Sequence, residues 1–599
     1  MRPLAHLNKF YWKYRWLFIP GLLCAVGSAI FSLMVPMIVR QAVDNIPIFV
    51  RVYAPLSDSS VAESLHGSFF TTLLLYGLII ISLSLFSGVF SFLMRQTIVV
   101  ASRHIEYDLR NRLYDHIQGM SRRFYIDNST GDIITRATSD IEQVRRYIGP
   151  AIMYLTRALV IVVTAITVMF IISPRLTLFA IIPMPFLAVA VFFVAHLVHK
   201  RSDELQKQYS SLTTLVQEAL SGIRVVKAYT REEHEAKSFS RESDEYRRRM
   251  LDLAAVEAAF RPVFILLIGM STIIVVWVGG RLAMEGAISI GNIAEYIIYV
   301  ALMTWPVAAV GFVITMVQRA SASMSRLQEI LDSEPDVTDG SQTDTSIDRV
   351  DGRIRFSDVN FSYKDGQNVL SDIRFELDAG QMLAIVGRTG AGKSTLVSLI
   401  PRLMDPTGGT VYIGGKDART IPIAVLRKAI GYVPQEVFLF NESIDNNIRF
   451  GDIEATESTV EAAARNAVLF DNIMELPEKF ETMVGERGVT VSGGQKQRTS
   501  IARALVRAPE ILIFDDALSA VDTDTERRIL RNLKTQQGER TLVIVSHRIS
   551  AVQDADLILV LDDGNVVQRG THDDLVREEG LYANLYRQQQ LEEEIEAIA

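Results

Sequence analysis

The sequence predicts a multi-domain protein: a six-helix transmembrane domain with long cytoplasmic helical extensions, followed by a soluble α/β domain with a helical subdomain. Three observations carry this prediction. Hydrophobic residues make up 49% of the 599 positions and mean hydropathy is positive, unlike an ordinary soluble chain. The apolar runs end near Val317, whereas the chain from Asp332 onward is rich in turns and charge. Within that second half a strand-like run, Met382 to Val386, leads into the glycine-rich stretch G-R-T-G-A-G-K-S-T, Gly387 to Thr395. The helix-forming Leu396 to Ile400 follows.

The membrane elements follow from segment length and charge. Arg2, Lys9, Lys13 and Arg15 precede an apolar stretch as in a secretory leader. That stretch runs from Trp16 to Val39 without a small-residue cleavage site, so it reads as a retained span. Six segments are long and apolar enough to cross a bilayer, at residues 16–40, 69–94, 148–172, 176–198, 262–284 and 293–318. Residues 95–147 and 199–261 are long and basic, with Arg103, Arg110, Arg112, Arg122 and Arg123 in the first and Lys200, Arg201, Arg224, Lys227 and Arg247 to Arg249 in the second. The connections at 173–175 and 285–292 are short, and 41–68 carries Asp44, Asp58 and Glu63. Because positive charge stays inside, both termini and the two long connections are predicted to be cytoplasmic.

These long connections keep a helical period and read as spans prolonged beyond the bilayer. Each is expected to break once, at the turn cluster Asp127 to Asp132 and at Gly222 to Lys227. Arg122-Arg123-Phe124-Tyr125 would form a short helix able to dock on another surface. Arg157 lies in the third span among Tyr154, Leu155, Ala158 and Leu159; it is expected to face an internal aqueous cavity or to snorkel to the cytoplasmic surface. Glu295 is expected at the outer interface, and Pro183, Pro185 and Pro306 at kinks. The acidic, hydroxyl-rich residues 332–350 have little to bury and mark a linker. The boundaries are then 1–331 for the transmembrane domain, 351–585 for the second domain and 586–599 for a C-terminal tail.

The glycine-rich stretch is a P-loop, since strand, loop and helix follow in the required order. Gly387, Gly390 and Gly392 let successive backbone N–H groups, with those of Arg388, Thr389, Ala391 and Thr395 around them, face one concavity that suits a nucleotide phosphate. Lys393 would reach the β- and γ-phosphates, and Ser394 offers a hydroxyl to Mg2+. The net charge of −8, with no basic stripe, argues against nucleic-acid binding. A single Cys24 leaves no partner for an intrachain disulfide.

Further motifs follow in order: Tyr432-Val433-Pro434-Gln435, Val491-Ser492-Gly493-Gly494-Gln495, Ile511 to Asp516, Ser519-Ala520-Val521-Asp522 and Ser546-His547. The set resembles the ATP-binding-cassette family, and with six preceding spans the chain resembles an exporter half-transporter, its second domain being the cassette. The resemblance implies that Tyr363 stacks on adenine, Gln435 senses Mg2+ and the γ-phosphate, Asp515 orients Mg2+, and His547 contacts the γ-phosphate. Ser492, Gly493, Gly494 and Gln495 would hold the nucleotide of an opposite subunit, with Asp522 in the adjoining loop, so that two cassettes sandwich two ATP molecules. Glu486-Arg487-Gly488 would read the coupling helices of the membrane half.

One residue departs from the family pattern. Asp516 stands where hydrolytic sites usually have glutamate, and a carboxylate drawn back by about 1 Å should slow hydrolysis by orders of magnitude. Apart from Val491 in place of the usual leucine, the signature is intact. The asymmetry resembles the degenerate-site subunit of a heterodimeric multidrug or lipid exporter, whose partner carries glutamate at the matching position; a homodimer with two slow sites is the alternative. The implied function is ATP-driven export or flipping of amphipathic drugs or lipids by alternating access. Peptide export, or an ATP-gated channel or regulatory subunit that does not pump, are the alternatives. The implied location is a bacterial inner or plasma membrane, with the cassette and both termini cytoplasmic.

Overall fold

The computed structural model describes residues 2–56, 61–363, 366, 368–485, 491–534 and 540–598, which form two compact units. One extends to Gln118 and from Thr130 to Ser333, and the other comprises Gly119–Ser129 and everything from Glu334 onward.

The first unit is helical throughout. Its long elements are α1 (Arg15–Tyr53) and α2 (Val61–Gln118). After α3 (Arg122–Asp127), which belongs to the second unit, come α4 (Thr130–Ile172), α5 (Pro174–Ile181), α6 (Pro183–Ser221), α7 (Ile223–Ala228), α8 (Glu232–Met284) and α9 (Ile290–Leu331). Among the described residues six helical runs are long and apolar enough to cross a membrane, with α5 and α6 sharing one. That pair is split at Ile182, where Pro183, lacking an N–H, starts α6 as a first-turn proline. Pro306 instead lies inside the unbroken α9. Small hydroxyls join the first two spans: Ser28 Oγ donates to the Ser87 carbonyl and Ser87 Oγ to the Ser28 carbonyl, both at 3.0 Å. Such reciprocal bonds suit helices packed where no water competes.

Two expectations for this half are corrected. Each long connection breaks twice rather than once: at Gly119–Ser121 and Asn128–Ser129 around α3, and at Gly222 and Tyr229–Arg231 around α7. The predicted turn cluster is largely helical, because Asp127 closes α3 and Thr130 opens α4. Glu295, near the outer end of its span, is 0% exposed. Its carboxylate lies 3.5 Å from Arg40 Nη1 of α1 and accepts from Tyr299 Oη at 3.1 Å and Asn292 Nδ2 at 3.3 Å. A counter-charge more than 250 positions away is invisible to a scan of one span.

The second unit contains two sheets. β1 (Ile354–Ser362), β2 (Asn368–Leu377), β4 (Gly408–Ile413) and β5 (Lys416–Asp417) form an antiparallel sheet in the order β2-β1-β4-β5. The larger sheet has the order β10-β9-β3-β8-β7-β6. Its strands are β3 (Met382–Gly387), β6 (Ile430–Val433), β7 (Ile511–Asp515), β8 (Thr541–Val545), β9 (Leu557–Asp562) and β10 (Asn565–Gly570). All its pairings are parallel except β9–β10. Every residue of β3 and β7 is buried, as apolar runs in a sheet covered on both faces must be. The helices that matter to the site are α10 (Lys393–Leu399), α11 (Gly493–Leu505), α12 (Thr523–Lys534) and α13 (Leu581–Ile598).

The stretch 332–350 buries more than its composition implies, since Ile347 and Val350 join the core and Asp344 N–H donates to the Thr420 carbonyl at 2.8 Å. Helix α13 runs unbroken past residue 585. Asp58 and Glu486-Arg487-Gly488 lie outside the described residues.

Candidate nucleotide site

Parallel strands bring distant motifs to one edge. Val545, ending β8, pairs with Ile385 of β3 on one side and Asp515 of β7 on the other. The P-loop after β3, Asp515 and Asp516 at the end of β7, Gln435 after β6 and His547 after β8 therefore meet at the carboxyl ends of the strands, where open α/β sheets bind ligands. There they enclose a cleft of about 200 Å3, lined by Thr389 to Thr395, Gln435, Asp515, Asp516 and His547.

The loop depends on backbone that only glycine adopts freely. Gly390 has φ 87° and Gly392 φ 94°. A Cβ at Gly392 would approach the Val369 carbonyl to 2.9 Å, whereas one at Gly390 would meet open space. Lys393, 7% exposed, donates from Nζ to the Gly387 and Arg388 carbonyls at 2.8 Å each. Burial pushes its ammonium pKa down, partly offset by the charges of Asp516 and Asp515. Both acceptors are neutral carbonyls, so phosphate oxygens are stronger partners for the same ammonium.

Asp515 is 3% exposed, and both its oxygens accept from hydroxyls: Oδ1 from Ser394 Oγ at 2.8 Å and Oδ2 from Tyr432 Oη at 3.1 Å. Burial raises its pKa; the two hydrogen bonds and the charge of Arg122 oppose that rise. Arg122 approaches from α3, donating to Ser398 Oγ at 2.8 Å. The Ser394 hydroxyl beside a carboxylate, with the Gln435 amide on the same cleft wall, is an oxygen donor set that fits Mg2+.

Asp516 takes a left-handed conformation, φ 51°, which aspartate tolerates better than most residues. Its N–H donates to the Val545 carbonyl at 3.0 Å. Among the described residues its carboxylate is held only by a long contact from Gln435 Nε2, 3.5 Å.

Other predicted residues lie outside this cleft. Tyr363 meets Phe361 edge-on at 5.0 Å, with its hydroxyl 3.4 Å from Thr395 Oγ1. Ser492, Gly493, Gly494 and Gln495 begin α11 away from the cleft lining. Ser492 Oγ accepts from the Gln495 N–H at 3.3 Å and Gln495 Oε1 from the Ser492 N–H at 3.0 Å, a capping box. Ser492 and Gly493 are exposed. Asp522 is exposed too and receives the Thr525 N–H at 2.9 Å, which helps hold its pKa below the ordinary range.

In the first unit, α4, α6 and α9 border an apolar cavity of about 620 Å3, whose polar lining is His196, His199, Thr315, Gln318 and Arg319. Arg157, half-buried on α4, makes no hydrogen bond or ion pair among the described residues.

Sequence reasoning missed several supporting groups. Tyr432 lies in a stretch already singled out, yet nothing local says that its hydroxyl reaches Asp515. Gln497 joins α11 to the loop after β7, accepting from the Ala520 N–H at 3.0 Å and donating to Ser519 Oγ at 3.3 Å. Arg548 pairs with the buried Glu526 at 3.0 Å. No spacing rule announces these contacts, because each spans at least 20 residues.

Comparison with known proteins bears on both halves. The family description "ABC transporter transmembrane region" matches residues 17–307, and "ABC transporter" matches residues 370–519. The probable multidrug resistance ABC transporter ATP-binding/permease protein YheI of Bacillus subtilis is 39% identical over 489 residues, 81% of this chain and 83% of that one. The multidrug resistance-like ATP-binding protein MdlA of Escherichia coli is 37% identical over 494 residues, 82% and 83% respectively. A solved structure of a bacterial Atm1-family ABC exporter with ATP bound matches with a TM-score of 0.76 at 26% identity, covering 96% of this chain and 99% of that one.

Proposed function

The chain belongs to the ABC transporters of exporter type, an ATPase coupled to transport with six membrane-spanning helices and a cytoplasmic cassette, and from that premise we propose that it is the slow-site half of a heterodimeric exporter of amphipathic drugs or lipids. The observation that carries this reading is the short, loosely held carboxylate of Asp516 beside His547 and Gln435 in an otherwise complete cleft.

In this reading the N–H groups of Gly387 to Thr395 cradle the phosphates, Lys393 exchanges loop carbonyls for phosphate oxygens, and Tyr363 stacks on the base. Ser394 and Gln435 would hold Mg2+, with Asp515 behind, and the ion when bound neutralises charge on the β- and γ-phosphates. His547 contacts the γ-phosphate. Asp516 orients the attacking water poorly, because a shortfall of about 1 Å costs about 100-fold in rate. The exposed, well-capped start of α11, with Asp522 nearby, completes a faster site on a partner that bears glutamate. ATP binding closes the paired cassettes and turns the transport pathway outward; hydrolysis at the faster site resets it. Each step is a shift between two states by differential affinity.

The chain reconstituted in proteoliposomes with a glutamate-bearing partner should drive ATP-dependent accumulation of a fluorescent amphiphile, and Lys393→Ala in this chain should weaken it. ATP binding without ATP-driven flux, with the partner present, would assign a channel or a regulatory subunit instead.

A further inference from the structure

We propose that Gln589, on the C-terminal helix α13, is a positioning residue that sets His547 against the γ-phosphate. One side-chain amide grips the backbone of the histidine loop at two points: Gln589 Oε1 accepts from the Ile549 N–H at 2.8 Å, and Nε2 donates to the His547 carbonyl. A primary amide offers a donor and an acceptor in one planar fork of this kind.

The loop needs such a grip. His547 follows β8 with its side chain exposed, beyond the last paired residue of that strand. On one side Arg548 fixes the loop, its guanidinium donating to the Val521 carbonyl and the Glu526 carboxylate at 3.0 Å each. On the other side stands Gln589, which bonds His547 itself.

The base of α13 is anchored firmly enough to transmit a position. Tyr582 is fully buried, its hydroxyl lies 2.7 Å from His572 Nδ1, and its N–H donates to Gln568 Oε1 at 3.1 Å. Gln589 lies two turns further along the same helix and is half-buried. The segment that reads as a tail therefore completes the wall behind the histidine, and lifting α13 loosens the hold on ATP but not on ADP, which lacks the phosphate that His547 contacts.

This inference rests on reading the cleft as an ATP site, and the test separates the two. The affinities of a fluorescent non-hydrolysable ATP analogue and of fluorescent ADP are measured on the full-length protein in nanodiscs, for wild type, His547→Ala, Gln589→Leu and the double variant. Gln589→Leu should lower the preference for the ATP analogue about three- to tenfold, the scale of one or two lost hydrogen bonds. ADP affinity and Tm should hold, and the double variant should match His547→Ala alone. If His547→Ala lowers the preference and Gln589→Leu does not, or if Gln589→Leu weakens both ligands equally, the positioning role is wrong. If wild type shows no preference and His547→Ala changes nothing, the reading of the cleft fails first.

Discussion

Asp515 shows how much of the site is decided around one side chain. Its carboxylate is buried among hydroxyls, with the Arg122 guanidinium near enough to oppose the rise in its pKa. A carboxyl whose folded pKa is raised destabilises the fold as pH climbs from the unfolded value through the folded one, because the unfolded chain gives up its proton first. Asp515→Asn should therefore raise the Tm of the nucleotide-free protein at neutral pH, and the gap should close as the pH falls below that raised pKa, as thermal scans across pH would show. Backbone makes its own demand at Gly392. Gly392→Ala puts a Cβ at positive φ against the Val369 carbonyl. It should lower stability by about 1 kcal/mol or more and abolish tight binding of an ATP analogue, measured by fluorescence titration. The glycines, Lys393 and Ser394 were legible in the sequence because a phosphate cradle needs those types at fixed spacing. Tyr432, Arg548 and Gln589 were not, since their contacts are set by how strands and helices meet.

Elements carry a different kind of information. Span length was readable because hydrocarbon thickness sets it. The breaks flanking α3 and α7 were only half visible: Gly222 is a recognisable helix stop, whereas Gly119–Ser121 carries weaker turn chemistry. Strand order in the large sheet had no local signature, although the apolar run Ile511 to Phe514 reads as a strand. At the outer ends of α1 and α9, Asp44 accepts from Ser289 Oγ and the Gly291 N–H at 2.7 Å each, while Arg40 faces Glu295. Removing one partner of a buried pair leaves an uncompensated charge. Arg40 is partly exposed, so Arg40→Ala should destabilise the detergent-solubilised protein by about 2 kcal/mol. Glu295→Gln in the same chain should restore most of the loss, a double-mutant cycle read by thermal unfolding.

At the scale of the whole molecule, the family relationship makes this an ATP-coupled exporter, and the unequal cassette pair is the reading that its own residues add. The P-loop, Asp515 and His547 share one cleft, while the capped start of α11 stands outside it; in the proposed reading one chain offers a pocket and, elsewhere, a clamp. The sequence suggests the same division, since one nucleotide does not need two phosphate-type helix starts. The cargo was not legible, because apolar cavity walls and lipid-facing walls have the same composition. The most direct measurement is steady-state ATP turnover of the purified chain, wild type against Asp516→Glu. Lengthening the carboxylate should raise turnover by about 100-fold, from a wild-type rate close to that of Asp516→Ala. Brisk wild-type turnover that neither substitution changes would contradict the account.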